Sequence, residues 1–218
     1  AAVGIPQLTG PAGLGDAPVN HVLPAWDLLT GAYAAFAMLA AIQHRASTGR
    51  GGEIRIPLQD VATGSVANLG MIAEALTSGA NRPRLGNDVF GAFGRDFVTA
   101  DGRRLMLMAI TPRQWTGLIA VLGIGAEIAA IEAERGVSFA TDEGLRFRHR
   151  DALYPLVERA VAARRSGELV PELERHGCCY GAYQTMLDAA RDPALVAANA
   201  MFGQASNPSG LDYPATGP

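Results

Sequence analysis

One uninterrupted apolar segment dominates the hydrophobic pattern of this sequence. From Leu28 to Ile42 no residue is charged, and the only polar groups are the hydroxyls of Thr30 and Tyr33. Because the apolar residues leave no polar face, we expect a helix of roughly 20 residues, about 30 Å long, that is buried on all sides. The segment is shorter and richer in alanine than a membrane span, which needs about 20 strongly apolar residues. The pattern therefore predicts a core helix.

The residues at the two ends of this segment are those that begin and end helices. Pro24 precedes Asp27, a residue type that caps helix N-termini, and Arg45 and Gly49 are typical of the last turn and the stop. As a plain cap, Asp27 stabilises the helix by about 1 kcal/mol. Alternatively, the helix N-terminus keeps the carboxylate ionised, and in an apolar setting it acts as a nucleophile or base. The local sequence leaves both roles open.

The residues around this helix predict the remainder of a mixed domain. Residues 1–24 are rich in Gly and Pro and indicate a loop. Residues 53–58 alternate between apolar and polar, which predicts a half-buried strand, and residues 59–78 have helical spacing. Gly64 and Gly70 inside that helix indicate either close packing or a bend. Helix, strand and helix together are typical of the end of an α/β domain.

The second part of the chain has a different pattern of shorter elements. Residues 79–87 are rich in Gly, Asn, Pro and Arg, and they predict a boundary. Asp101-Gly102 lies between two apolar runs, at 96–99 and 104–110, and this predicts a β-hairpin. Residues from Asn207 onward indicate a linker. Further helices are predicted over 112–122, 127–134, 151–165, 183–190 and 192–200.

These patterns predict an α/β chain in three parts. Residues 1–80 form the end of an α/β domain, residues 81–200 a smaller α+β domain, and residues 201–218 a linker, which the family resemblance described below implies returns to the large domain. The first residues have the composition of an interior segment, so we expect an interior part of a longer protein.

Composition excludes several classes of function. A net charge of −3 gives no reason to expect nucleic acid or a membrane surface as a partner. All 18 basic residues are arginines, which removes Schiff-base lysine chemistry. Cys178 and Cys179 are adjacent, so neither a disulfide framework nor a CxxC metal site is expected, and a reducing cytoplasm fits. Arg146, Arg148 and Arg150 are predicted to form a solvated face.

Three segments carry a resemblance to a known family. LPAWD before the Ala-rich helix, STGRGGEIRIPLQDVA after it, and RPRLGNDVFGAFGRDFVTADGRRLMLMAITPRQW further on resemble the family III CoA-transferases, the family that also includes carnitine CoA-transferase and the α-methylacyl-CoA racemases. The resemblance covers roughly the first 120 residues. It implies a Rossmann-like large domain with an inserted small domain, and it implies that Asp27 is the catalytic residue.

The resemblance also implies roles for residues near the predicted hairpin. The loop Gly91-Ala92-Phe93-Gly94 corresponds to one that closes over the aspartate and keeps water from covalent intermediates, although a plain turn is the alternative. Arg95 beside it is a candidate for binding a substrate carboxylate. His21, six residues before Asp27, is a candidate for supporting Asp27, whereas an isolated histidine is more often a surface residue.

Three activities follow from this resemblance. The first is transfer of CoA between carboxylates through an aspartyl intermediate. The second is racemisation of an acyl-CoA with Asp27 as base, and the third is a fragment without activity. We expect an acyl-CoA substrate, with coenzyme A present only as part of that substrate, no metal, an interlocked homodimer, no nucleic-acid or membrane partner, and a cytoplasmic location.

Overall fold

The computed structural model describes residues 2–216, which belong to two compact units that meet in sequence between Asn87 and Asp88. Within the described residues, the first unit is made of helices and connecting segments. Its elements are α1 (Ile5–Leu8), a 3₁₀ turn (Ala12–Leu14), α2 (Ala25–Thr48), α3 (Leu58–Asn68) and α4 (Met71–Ser78). The short α1 and the 3₁₀ turn lie in the stretch that was predicted to be a loop.

Helix α2 begins and ends at the residues that the sequence indicates. Pro24 occupies the N-cap position, and Gly49 ends the helix with φ 70° while its N–H donates to the carbonyl of Arg45. The prediction that Asp27 caps the helix is wrong, because Pro24 takes that position and Asp27 is the third helical residue. Its carboxylate therefore belongs to the first turn, where the helix dipole favours negative charge.

The prediction that α2 is buried on all sides is also wrong for this chain. No residue of α2 is fully buried, and Phe36 and Leu39 are 73% and 67% exposed. Helix α2 packs against α3, which covers one side only. By length and composition α2 would suffice to cross a membrane, a test that core helices of soluble proteins also pass. The apolar surface of α2 is therefore largely exposed.

Two further predictions for the first unit need correction. Residues 53–57 form no strand, because the described residues of this unit offer no other strand to pair with them. The predicted helix over 59–78 is two helices, α3 and α4, separated at Gly70, whose φ of 74° is outside the helical range. The sequence allowed a bend at Gly70, and the structure has a break between two helices there.

The second unit contains an antiparallel sheet, six helices and a hairpin among its described residues. Strands β1 (Phe93–Val98), β2 (Arg104–Ala109) and β3 (Cys179–Ala182) form a sheet in the order β1-β2-β3, with Arg95 opposite Leu107. The remaining elements are α5 (Pro112–Leu122), α6 (Gly125–Arg135), α7 (Glu143–Arg148), α8 (Arg150–Ala162), α9 (Ser166–Arg175), α10 (Met186–Arg191), β4 (Phe202–Ser206) and β5 (Asp212–Thr216).

The hairpin and three of the helices in this unit are confirmed. Gly102 turns the chain between β1 and β2 with φ 76°, and α5 begins with a capping box between Thr111 and Gln114. Helices α6 and α8 lie within two and three residues, respectively, of their predicted ranges. The prediction of a helix over 183–190 is met by the shorter α10.

Other parts of this unit differ from the prediction. Strand β1 begins at Phe93, three residues earlier than predicted, and α7, α9 and β3 were not predicted. Residues 192–200 form turns rather than a helix. The predicted linker from Asn207 is instead the turn and second strand of the β4–β5 hairpin. Strand β3 depends on a partner distant in sequence, β2, which local pattern does not reveal.

The core of the second unit lies between one face of the sheet and the helices. Phe93 and Phe97 of β1 share this face with alternate residues of β2, and α5 and α8 pack over it. Trp115 and Tyr154 contribute large aromatic surfaces, and Phe93 contacts both rings. The buried core cluster consists of residues between Phe93 and Leu173 only.

Arg146 is a fully buried arginine at the centre of this unit. Its guanidinium donates to the carbonyls of Phe139, Ala109 and Ala140 at 2.7, 2.9 and 3.3 Å. It also lies 5.3 Å from the centre of the Trp115 ring. Burial lowers the pKa of Arg146, since removing water disfavours the charged form. The predicted solvated face is therefore wrong for Arg146, although Arg148 is indeed exposed.

Replacing Arg146 should be among the most damaging substitutions in this unit. In Arg146→Met several buried carbonyls lose their hydrogen-bond donor. We therefore expect the free energy of unfolding, measured by urea titration, to fall by about 3 kcal/mol or more. The matched control is Arg148→Met two residues away, where we expect a change within about 0.5 kcal/mol. Equal effects of the two substitutions would contradict the structural role of Arg146.

Candidate active site

Asp27 lies in an exposed and electropositive position at the start of α2. Proline at the cap position provides no side-chain oxygen, so the N–H groups of Trp26 and Asp27 have no acceptor among the described residues. Unpaired N–H groups and the helix dipole both stabilise an anion at this end of a helix. A carboxylate here is accessible to a substrate, as a nucleophile requires.

This local geometry alone does not single out Asp27. Asp60 is likewise the third residue of a helix, α3, that begins after a proline cap, Pro57, and it too is exposed. What differs is the chain that follows each carboxylate. Asp27 is followed by an uncharged apolar helix, whereas α3 continues with Thr63, Gly64 and Ser65. Asp60 is therefore a natural control for every test of Asp27.

His21 lies near the same end of α2 but is occupied by a local contact. Its Nδ1 is 2.6 Å from the carbonyl oxygen of Leu23, and the ring is exposed. His21 and Trp26 help to line a cavity of about 340 Å³, together with the chain around Pro6. Asp27 is not part of the lining of that cavity. The structure thus brings His21 close to the start of α2 without placing it against the carboxylate.

Thr30 follows Asp27 by one helical turn. Its Oγ1 atom is buried and has no hydrogen-bond partner among the described residues. A buried hydroxyl without a hydrogen-bond partner is uncommon in folded proteins. This turn of α2 therefore contains an unsatisfied polar group.

The residues predicted as a glycine loop, 91–94, belong to the second unit, and half of them form a strand. Gly91 and Ala92 make the turn, with Gly91 at φ 80°, whereas Phe93 and Gly94 open β1. Phe93 is completely buried in the core. The loop expected over Gly91–Gly94 is thus shorter than predicted, because Phe93 is anchored by the aromatic rings of the core.

Gly94 is fixed by two hydrogen bonds and by close packing. Its carbonyl accepts from the N–H of Val89 at 2.8 Å and from the hydroxyl of Tyr154 at 3.0 Å. A Cβ at this position would lie 2.5 Å from Cγ2 of Val89, so only glycine fits without movement. Residues 89–94 therefore form a loop whose two ends are tied together.

Arg95 lies on the core face of β1 beside Tyr154, with its guanidinium 5.3 Å from the ring centre. Asp88 pairs with Arg150 at 3.2 Å. Burial raises the pKa of the Asp88 carboxyl, an effect that the nearby charges of Arg95 and Arg150 oppose. Arg95 is therefore a cation held in place by an aromatic ring and already influenced by one carboxylate.

Asp88, Arg95, Arg150 and Tyr154 together form what we call the Asp88 cluster. Sequence analysis proposed only Arg95 as a site residue; it predicted Arg150 on a solvated face, which is wrong because Arg150 is half-buried and paired with Asp88. Asp88 stood in the motif GNDVFGAFGRDF and was overlooked, while Tyr154 is distant in sequence and had no local signal. No group of three or more His, Cys, Asp or Glu suited to a metal ion occurs within residues 2–216.

Comparisons with known proteins extend over nearly the whole chain. A model of CoA-transferase family III matches residues 1–217. The chain is 41% identical over 207 residues to 2-methylfumaryl-CoA isomerase of Chloroflexus aurantiacus, a match that covers 94% of this chain and 50% of that protein. The family resemblance expected from the sequence is thereby confirmed.

Solved structures give the same picture of the fold. A CAIB/BAIF family protein from Brucella suis has a TM-score of 0.67 at 29% identity, covering 97% of this chain and 52% of that one. A mutant of Rv3272 from Mycobacterium tuberculosis has a TM-score of 0.74 at 22% identity, covering 100% and 54%. The chain thus spans about half the length of the relatives that it matches.

The hydroxyl of Tyr154 provides a test of how firmly the 89–94 loop is fixed. In Tyr154→Phe, the Gly94 carbonyl loses one of its two hydrogen-bond donors. We therefore expect the free energy of unfolding in urea near pH 8 to fall by about 0.5–1.5 kcal/mol.

The pH dependence of the same variant checks the environment of the phenol. Burial raises the pKa of Tyr154, and the negative charge of Asp88 adds to the effect. Above the ordinary tyrosine pKa of about 10, the unfolded chain releases this proton first, so the stability of the wild type falls as pH rises. The free energy of unfolding of Tyr154→Phe should fall less steeply between pH 9.5 and 11 than that of the wild type. An unchanged slope would mean that the phenol is solvated.

Proposed function

The chain belongs to CoA-transferase family III, and from that premise we propose that the complete protein moves CoA between carboxylates with Asp27 as the nucleophile. The observation that carries this proposal is the 41% identity to 2-methylfumaryl-CoA isomerase across the segment that contains Asp27. The exposed position of Asp27 in the first turn of α2 supports it.

The proposed reaction proceeds through two kinds of acyl intermediate. The Asp27 carboxylate attacks the thioester carbonyl, and the CoA thiolate leaves as a mixed anhydride forms. The thiolate then attacks the Asp27 carbonyl of the anhydride, which gives an aspartyl-CoA thioester and releases the substrate as a carboxylate. The accepting carboxylate attacks this thioester, and the thiolate released returns to the acceptor carbonyl, so that Asp27 is regenerated.

For the substrate we propose a methylfumaryl (mesaconyl) CoA thioester. The accepting group would then be the second carboxylate of the same molecule, and CoA would move from C1 to C4. This choice rests on the name of the Chloroflexus relative and on the 41% identity to it. Arg95 is our candidate for binding the free carboxylate.

Several wider expectations have the same basis and stay predictions. We propose that coenzyme A enters only as part of the substrate, that the protein is a homodimer, and that it acts in the cytoplasm. A role for His21 in supporting Asp27 and a role for the 91–94 segment in excluding water also stay predictions.

The alternative is an acyl-CoA racemase in which Asp27 moves a proton at the α-carbon. The two reactions make different demands on the thioester. A transferase has to break it and hold the departing acyl group or CoA, whereas a racemase never breaks it and exchanges the α-proton with solvent.

Trapping the covalent intermediate distinguishes the two reactions. When the complete enzyme turns over with mesaconyl-C1-CoA and hydroxylamine, we expect peptide mass spectrometry to find Asp27 as its hydroxamate. Mesaconyl-CoA has no α-proton, so the racemase reaction is tested with a saturated 2-methylacyl-CoA in D₂O, for which we expect no deuterium at the α-carbon. Deuterium uptake with unmodified Asp27 would contradict the transferase and favour the racemase.

Two conservative variants complete this test. Asp27→Asn should lower turnover by at least about 10³-fold, because an amide cannot be the nucleophile. Its stability should be nearly unchanged, since Asp27 makes no capping bond. Asp60→Asn, with the same place in its own helix, should retain activity and carry no hydroxamate. Equal loss of activity in both variants would show that Asp27 has no special role.

A further inference from the structure

The turn between β1 and β2 contains a pair of residues that is prone to chemical change. Asp101 is followed by Gly102, and no other aspartate or asparagine in the chain precedes a glycine. Because glycine has no side chain to shield its backbone nitrogen, this nitrogen can attack the side-chain carboxyl carbon of the aspartate. An N–C bond forms, the C–O bond of the carboxyl group breaks, and water leaves. The product is a five-membered succinimide.

Hydrolysis of the succinimide completes the modification. When water attacks the main-chain carbonyl of the ring, the remaining peptide bond runs through the side-chain carboxyl carbon of residue 101, and the product is isoaspartate. The backbone is then longer by one carbon atom, and a free carboxylate is left on the α-carbon. Water lost in the first step is regained in the second, so the reaction needs no oxidant or other reactant.

Both groups that have to react are held by hydrogen bonds in the structure. Oδ1 of Asp101 accepts from the N–H of Ser166 at 2.8 Å and from the hydroxyl of Thr99 at 2.7 Å. Oδ2 accepts from the hydroxyl of Ser166 at 2.7 Å. The N–H of Gly102 donates to the carbonyl of Thr99 at 2.9 Å. The carboxylate and the attacking nitrogen therefore have to leave these partners before the ring can close.

The same hydrogen bonds oppose the reaction electronically. The bonds from Ser166, and next the bond from Thr99, hold the pKa of the Asp101 carboxyl well below its usual range. An ionised carboxylate repels a nucleophile, whereas the neutral acid accepts one and releases water. The folded turn therefore keeps Asp101 in its unreactive form.

This protection comes from an element that is distant in sequence. Ser166 is the first residue of α9 and lies 65 positions after Asp101. The N–H of Ala100 also donates to the carbonyl of Arg164 at 2.8 Å, which ties the β1–β2 turn to the connection between α8 and α9.

We infer that Asp101–Gly102 is a site of isoaspartate formation that becomes reactive only when the start of α9 separates from the β1–β2 turn. The residues involved all belong to the second unit. Neither the chemistry proposed for Asp27 nor the part of the family fold outside this chain is needed for it.

Ser166→Pro removes the protection with little disturbance of the helix. Proline suits the first position of a helix, and Arg165 before it has the extended backbone that a following proline requires. This variant takes both Ser166 donors from Asp101. Ser166→Ala takes only the hydroxyl, and Ser166→Thr keeps both donors and is the matched control.

The measurement is the rate of isoaspartate formation in the folded proteins at neutral pH. Isoaspartate is labelled with an isoaspartyl methyltransferase and located by mass spectrometry in the tryptic peptide 96–103. Because hydrogen bonds to a charged group are strong, we expect Ser166→Pro to form isoaspartate at residue 101 at least about 10-fold faster than the wild type. Ser166→Ala should lie between them, and Ser166→Thr should match the wild type.

The denatured proteins provide the reference rate. In concentrated urea the wild type and all three variants should form isoaspartate at one common rate, faster than the folded wild type. Far-UV circular dichroism before incubation checks that the variants are folded. Absence of isoaspartate at residue 101 in urea would overturn the assignment of the site. Equal rates in the folded wild type, Ser166→Ala and Ser166→Pro would overturn the role of α9.

Discussion

The structure depends on one constraint. An uncharged helix without a polar side has to be covered by other residues before the carboxylate in its first turn has a defined environment. Helix α2 carries Asp27 where the helix dipole and two unpaired N–H groups favour an anion. In the described chain, α3 covers only one side of the helix. Transfer of an acyl group through Asp27 requires a site from which water is excluded. Under the proposed role of Asp27, the exposed side of α2 therefore has to be covered before the reactive site is complete.

The second unit, unlike the first, buries most of its large apolar side chains. Its sheet, helices and aromatic rings bury a continuous core, and Arg146 satisfies carbonyls at its centre through a charged group that has no carboxylate partner among the contacts described. Around Gly94 the backbone is held by Val89 and Tyr154, and the Asp88 cluster lies beside it. This unit presents a rigid edge with a cation, whereas the first unit presents an apolar surface and a carboxylate.

Sequence reasoning succeeded where the determining interactions are local. The ends of α2, the Asp101-Gly102 hairpin and the capped helix α5 follow from residues within a few positions of each other. It failed where they are distant. Arg146 looked like part of a solvated face, yet it lies against Ala109, 37 residues away. The strand expected over 53–58 had an alternating pattern but no partner, and Tyr154 joined the candidate site from α8. Asp27 itself was identified by resemblance, since Asp60 has the same local geometry.

Hydrogen–deuterium exchange on the 218-residue protein, measured peptide by peptide, tests the central claim most directly. Amide protection reports the free energy of local opening, and an element that lacks buried contacts opens easily. The account predicts that amides of α2 between residues 28 and 42 exchange much faster than those of α5, α8 and the β1–β2 hairpin. Protection of α2 equal to that of α8 in the monomeric chain alone would contradict the account.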